Sequence, residues 1–484
     1  MQITLIGIIV YLFGSVILFR GRIVTMLAFV LLCSLVGGSA AMIMTSLGGS
    51  SIPPGQLALF FLCLRIMMQK GALPTIQLAL RANIWFILFA AYGVAGAMIL
   101  PRIFAGKIDV APMKIVRLQN LLDSFPLAFS SQNITTAFYI VGSALFAIFT
   151  FVAVRQPGGA VRVVKISTII ALVHAGLGFA SVMLPHDLWL TATSIFRNGS
   201  YAQTDQSIGG FIRMSGIMPE PSSYAAFAFC WFVFMVELWL RDINGRWTGC
   251  AAAALAAALI ISTSSTAYAC MAIYALILII RLIIFPGCFT SGKVAWLVSV
   301  AAITAIAVAL LMAVQPALAA ELIDLLAKLT VEKGDSESGL QRAFWARQGF
   351  DAFYASYGLG VGPGSFRSSS NVTAIIGSMG VIGCISFCCY LVMIFGPLRN
   401  STYMAPLDPV DGVGVAASWA AIGTLIVGAL ISPTPDPGTT FAMFAGIALS
   451  LRSLRVVWVA TPGDVRIGPW LVRRVDPVRH VAGA

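Results

Sequence analysis

Arg213 and Glu220 stand in one short segment, Arg213-Met-Ser-Gly216-Ile-Met-Pro-Glu220-Pro221-Ser-Ser-Tyr224. Pro221 suits the first turn of a helix. A carboxylate placed just before that helix meets the positive end of its dipole. Arg213 can fold back on Glu220, so the pair offers a base beside an anion-binding guanidinium. The alternative is a capping carboxylate with a salt-bridge partner. A second group lies further along. Arg342 and Arg347 precede the run Gly358-Leu-Gly360-Val-Gly362-Pro-Gly364-Ser365-Phe-Arg367. Glycines permit backbone conformations closed to other residues and can turn successive N–H groups toward a phosphate. Guanidinium forks match phosphate geometry, so the three arginines and the loop read as an anion clamp. The alternative is a glycine-rich turn closing onto the rest of the fold. A third group, Ser262-Thr-Ser-Ser265-Thr266, either lines a polar cavity or caps two helices.

Other candidates stand alone. His174 lies in an apolar stretch and reads as a packed histidine. His186, with Asp187 beside it, is a weaker candidate base. Arg65 reads as a snorkelling side chain, and Asp351 is placed to pair with Arg347 at i,i+4.

The elements that must position these residues are apolar helices. Hydrophobic residues make up 59% of the 484 and charged residues only 10%, against about 25% charged in a soluble domain. That excess implies a lipid solvent. A spanning helix needs about 20 apolar residues. Segments 2–19, 23–45, 53–69, 82–101, 134–154, 164–185, 221–240, 247–262, 266–285, 293–314, 373–396, 413–432 and 439–458 are the candidate spans. The chain therefore reads as an all-α polytopic integral membrane protein of 11 to 13 spans. Residues 1–458 form one transmembrane domain, followed by a tail, 459–484. The nine cysteines sit in or beside apolar segments, without a CxxC pair, and read as small hydrophobes.

Charge gives the orientation. One set of short loops carries Arg20, Arg22, Lys70, Arg81, Arg155, Arg162, Lys165, Arg241, Arg246, Arg281, Lys293 and Arg399; the opposite short loops, 46–52, 262–265 and 433–438, carry no basic residue. Basic short loops stay cytoplasmic. The long loops 102–133, 186–220 and 315–372 then lie outside. The net charge of +12 is thus a matter of topology, and no nucleic-acid motif accompanies it. Within the third loop, 317–329 reads as an amphipathic helix, 331–339 as a polar turn, and 341–358 as a second helix. The tail reads as irregular, its arginines near anionic lipid.

These groups, in this order, resemble the bacterial O-antigen polymerase/ligase family, most nearly its Wzy-type exopolysaccharide polymerases. The matching elements are Asn133-Ile134-Thr135 at the start of a span, R-x-S-G-x-x-x-E-P at 213–221 and I-S-T-S-S-T-A-Y at 261–268. Then come the Arg347 to Gly358 spacing, G-V-G-x-G-S at 360–365, and Gly380 with Gly383. The resemblance covers roughly 80–450. It implies a glycosyltransferase of GT-C-like architecture in the inner membrane, with its active site on the periplasmic side. The donor would be a glycan on undecaprenyl diphosphate, and neither metal nor other cofactor would be required; no D-x-D motif is present. It implies Glu220, Arg213 and Arg347 as catalytic residues. Arg342, Arg367, Gly360, Gly362, Gly364, Ser365 and Tyr224 would bind diphosphate or glycan. Partners would be the lipid-linked oligosaccharide, membrane lipid and a chain-length regulator. A ligase of the family would carry a histidine in its large outer loop, and 315–372 has none, which favours a polymerase. A ligase is the nearest alternative reading; a transporter would instead show two related halves and mid-span charges.

Overall fold

The computed structural model describes residues 2–45, 49–113, 122–198, 207–208, 211–285, 289–316, 320, 324, 336–395 and 408–452. The expected helix over 317–329, most of the 331–339 turn and the tail 459–484 lie outside these residues. The chain is a helical bundle. Its helices are α1 (Leu5–Arg20), α2 (Ile23–Ser34), α3 (Pro54–Met67), α4 (Leu73–Ala82), α5 (Ile84–Ile103), α6 (Ser131–Val154), α7 (Gly159–Met183) and α8 (His186–Thr193). They continue as α9 (Pro221–Leu240), α10 (Gly245–Ile261), α11 (Ser265–Ile284), α12 (Ser291–Val314), α13 (Glu337–Ala355), α14 (Asn371–Phe395), α15 (Pro409–Ile431) and α16 (Gly438–Arg452). Among the described residues, eight helices are long and apolar enough to cross a membrane, and five shorter apolar ones accompany them. The chain is a multi-pass membrane protein by this measure.

One expected span is too long. The segment 23–45 is helical only to Ser34. After it the chain turns through Gly37 and Gly38 and forms the strand Met42–Met44, which pairs antiparallel with Gln2–Ile3 and Ser50–Ile52. Gly38 packs 2.7 Å, measured from where a Cβ would stand, from Pro219. A side chain there would push the turn away from the segment that carries Glu220.

The bundle has two ends. At one, Arg65 Nε donates to the Gly21 carbonyl and Arg155 Nη1 to that of Ser450, tying together the basic short loops. At the other, the long loops meet. Ser39 Oγ donates to Phe196 O, Ala111 N to Gln348 Oε1, and Arg367 N to Ala111 O. The packed interior is aromatic, as in Phe86 stacked on Tyr390 with centroids 4.7 Å apart. By contrast α12 buries none of its apolar window. A helix apolar on every face and left uncovered suits lipid.

At the basic end a carboxylate is buried inside α9. Glu237 accepts from Arg241 Nη1 at 2.5 Å, from Arg281 Nη1 at 2.5 Å and Nη2 at 3.1 Å, and from the Tyr274 hydroxyl at 2.8 Å. Arg281 also lies 3.5 Å from the Trp419 ring centre. An isolated charge at this depth would be costly, so these partners fix how α9, α11 and α15 meet.

Candidate functional site

Glu220 is the residue that caps α9. Its backbone is extended (φ −155°, ψ 159°), and Pro221 follows as the first helical residue. Its side chain makes no capping bond to the helix backbone. Instead Oε1 accepts from the Ser222 hydroxyl and, at 3.2 Å, from that of Ser223. Two hydroxyls from its own helix turn thus hold the carboxylate at the rim. Arg213 is half-buried, and its Nη2 donates to Thr263 O at 3.3 Å. Thr263 sits in a left-handed turn (φ 48°) between α10 and α11. Burial lowers the affinity of Arg213 for its proton from the ordinary value, and the nearby Glu220 carboxylate works the other way. The first and third groups of the sequence therefore converge at the long-loop end of α9. The hydroxyls of Ser262 and Thr263 donate to the carbonyls of Leu259 and Ser262, while Ser264, which precedes α11, makes no side-chain capping bond.

A residue with no signal in the sequence secures this segment. Arg197 Nη2 donates to Ser215 Oγ at 2.9 Å and to Gly216 O at 2.7 Å, and Trp189 Nε1 donates to the same carbonyl at 3.1 Å. Gly216 takes a left-handed turn (φ 53°) over the Tyr224 ring. Tyr224 is fully buried, stacked on His174 with centroids 4.3 Å apart, its hydroxyl donating to His174 O. The assignment of Tyr224 to substrate binding is corrected: no face of it is open to a ligand. His174 is a packed histidine, as expected. His186 opens α8.

The second group is built on α13. Arg347 is exposed and Arg342 half-buried. Arg342 O accepts from Ser369 Oγ at 2.6 Å. Arg367 stacks its guanidinium 4.3 Å over the Trp345 ring of the same helix. The i,i+4 pair of Arg347 with Asp351 does not form. Among the described residues no ion pair involves Arg342, Arg347 or Asp351, so two guanidiniums at this end stand without an acid.

The glycine run is not an anion nest. Gly358 N donates to Phe353 O, Leu359 N to Ser356 O, Gly360 N to Ser356 Oγ, Val361 N to Gly377 O and Gly362 N to Ser378 O, all at 2.8–3.1 Å. Residues 360–366 are buried. Gly360, Gly362 and Gly364 have φ of 85°, 92° and 83° and pack against the backbones of Ser378, Gly96 and Gln132. Ser365 Oγ donates to Val361 O and accepts from Asn133 Nδ2 at 2.9 Å. These four residues are therefore withdrawn as diphosphate ligands. They form a backbone plug that wedges between α5, α6 and α14 and sets the height of Arg367.

The two arginine groups share one end of the bundle, and α15 connects them. It packs Gly423 against Val233 and Phe229 of α9. Beyond its end, Pro433 O accepts from Ser368 N and Thr434 O from Asn371 Nδ2. The same turn carries Asp436, missed in the sequence because prolines flank it. Burial pushes its carboxyl up to about 6, against the Ser143 hydroxyl and the Gly438 N–H. A raised value means that the neutral form stabilises the fold. That contribution is complete below the ordinary 3.8 and is lost as pH rises through about 6. Asp436→Asn, neutral at every pH, should gain thermal stability over the native protein progressively between those values and hold a constant gain above. A melting difference that does not change with pH refutes this.

No protein-family model, curated protein or solved structure matches the chain.

Proposed function

We propose that this protein polymerises lipid-linked oligosaccharide repeat units at the periplasmic face of the bacterial inner membrane. The observation that carries the reading is Glu220, held by two hydroxyls beside Arg213 at the bundle end opposite the basic short loops. Arg342, Arg347 and Arg367 at the same end supply a cationic rim. In this reading the donor is a glycan on undecaprenyl diphosphate. Its diphosphate lies against Arg347 and Arg342. Glu220 accepts the proton of the acceptor sugar hydroxyl as that oxygen bonds to the donor's anomeric carbon. The bond from that carbon to the diphosphate oxygen breaks, and the electron pair leaves with the lipid diphosphate. Guanidiniums placed where this charge develops lower the barrier. The tail 459–484 lies in the cytoplasm, and a chain-length regulator is a natural partner.

The test uses purified protein in lipid with a defined undecaprenyl-diphosphate repeat. Polymer ladders are expected. Arg347→Ala should slow them by about 10²–10³-fold, and Arg347→Lys should also fall well below native, since a point charge lacks the fork. Transfer to a different acceptor without ladders indicates a ligase. Unchanged ladders in Arg347→Ala remove Arg347 from the site.

A further inference from the structure

At the basic end, opposite the site above, a cavity of about 500 Å³ lies between α7, α10 and α15. That size is within the range of small-molecule sites, about 300–1,000 Å³. One stripe of α7 forms its long wall, with Val161, Val164, Thr168 and Leu172 at helical spacing. The stripe is about 16 Å long at 1.5 Å per residue. Lys165 and Asp408 line the same cavity, and both are exposed. Neither forms an ion pair with the other or with any other residue among those described. Among the described residues, Asp408 Oδ1 accepts only from Val410 N, at 3.2 Å, as the cap of α15. Trp247, 56% exposed, lies at the same rim, where an indole suits a membrane–water interface.

An apolar slot whose rim carries a cation and a carboxylate, each without an ion-pair partner among the described residues, matches one kind of occupant. We propose that the slot holds a single zwitterionic phospholipid with a primary amine head, of the phosphatidylethanolamine type. One acyl chain lies along the α7 stripe. The phosphate meets Lys165, and the ammonium N–H groups donate to Asp408. A choline head has no N–H to donate, and a glycerol head has no charge for Asp408. Recognition by Asp408 therefore separates three lipids that share the same tails and phosphate. The inference rests on the cavity and its two charges, and stands apart from the catalytic reading.

The experiment is native mass spectrometry of the full chain, delipidated and offered phosphatidylethanolamine, phosphatidylcholine or phosphatidylglycerol of identical tails. One phosphatidylethanolamine should be retained about tenfold or more over the other two, as expected for a charged hydrogen bond. Asp408→Asn keeps a capping side chain, so the fold is preserved, and it should erase the preference. Val161→Trp, at a half-buried position, should fill the slot and abolish retention. Equal retention of the three lipids overturns the proposal. So does retention unaffected by Val161→Trp, or an unliganded slot occupied by residues 396–407, shown by their crosslinking to Leu172.

Discussion

Glu220→Gln should reduce polymer formation from a defined lipid-linked repeat by about 10²–10⁴-fold, the usual weight of a positioned general base. The amide keeps the size of the side chain and can still accept from Ser222 and Ser223, so protein level and membrane insertion should not change. Only the capacity to take a proton is lost. The double change Ser222→Ala with Ser223→Ala leaves the carboxylate in place but removes the hydroxyls that aim it. A misplaced reacting group can cost up to about 10²-fold, so this variant should fall between native and Glu220→Gln. Arg213→Ala should lower turnover as well, since Arg213 joins the Glu220 segment to the Thr263 turn. The decisive comparison is single-turnover rate at saturating substrate. If Glu220→Gln elongates at the native rate, the base lies elsewhere. A loss that Ser222→Ala with Ser223→Ala reproduces in full would make the segment structural rather than catalytic.

The parts of this molecule that were legible in the sequence are those written locally. The helix α9 begins at Pro221 and ends before Arg241, the limits that its proline and its first basic residue announce. The segregation of arginines between short loops could likewise be read by position alone. Glu220 and Arg213 are seven residues apart, and their proximity follows from a turn at Gly216. What failed depends on partners far along the chain. Glycine spacing at 358–364 says that the backbone is free to bend, but not which acceptors its N–H groups find. Those acceptors, Gly377 O and Ser378 O, belong to the next helix. Tyr224 looks like a rim residue from its place after Glu220, yet its ring points into α7 and stacks on His174. Arg197 carries no motif at all, and its two bonds to the 215–216 turn arise only when the loop folds. Glu237, by contrast, is legible from its position within α9. An acid inside an apolar helix needs cations, and Arg241, one turn on, and Arg281, in α11, supply them.

A large loss of stability is expected from substitution at Gly380. This residue interrupts α14 with φ 57° and ψ −153°, about 14 Å below the helix start at 1.5 Å per residue. The break leaves the Val381 N–H without a helical acceptor, and Gly358 O from the glycine plug takes it at 2.8 Å. Unwound backbone inside a membrane bundle persists only where such exchanges satisfy it. A methyl group at position 380 would collide with that same Gly358 carbonyl. The carbonyl cannot retreat without surrendering Val381, and the plug cannot shift because Gly360 and Gly362 already touch Ser378 and Gly96. Gly380→Ala therefore combines backbone strain in a region open almost only to glycine, about 1–3 kcal/mol, with overpacking of about 1–3 kcal/mol. Against a total stability of about 5–15 kcal/mol, that loss should be visible as a much lower melting temperature or as aggregation on extraction. Gly176 on α7 is the control, since a Cβ there meets nothing within 4 Å. Gly176→Ala should gain about 0.5–1 kcal/mol from helix propensity alone. If Gly380→Ala instead extracts as a monodisperse protein that melts with the native one, the plug does not couple α13 to α14. The height of Arg347 and Arg367 at the rim would then have to be set by other contacts.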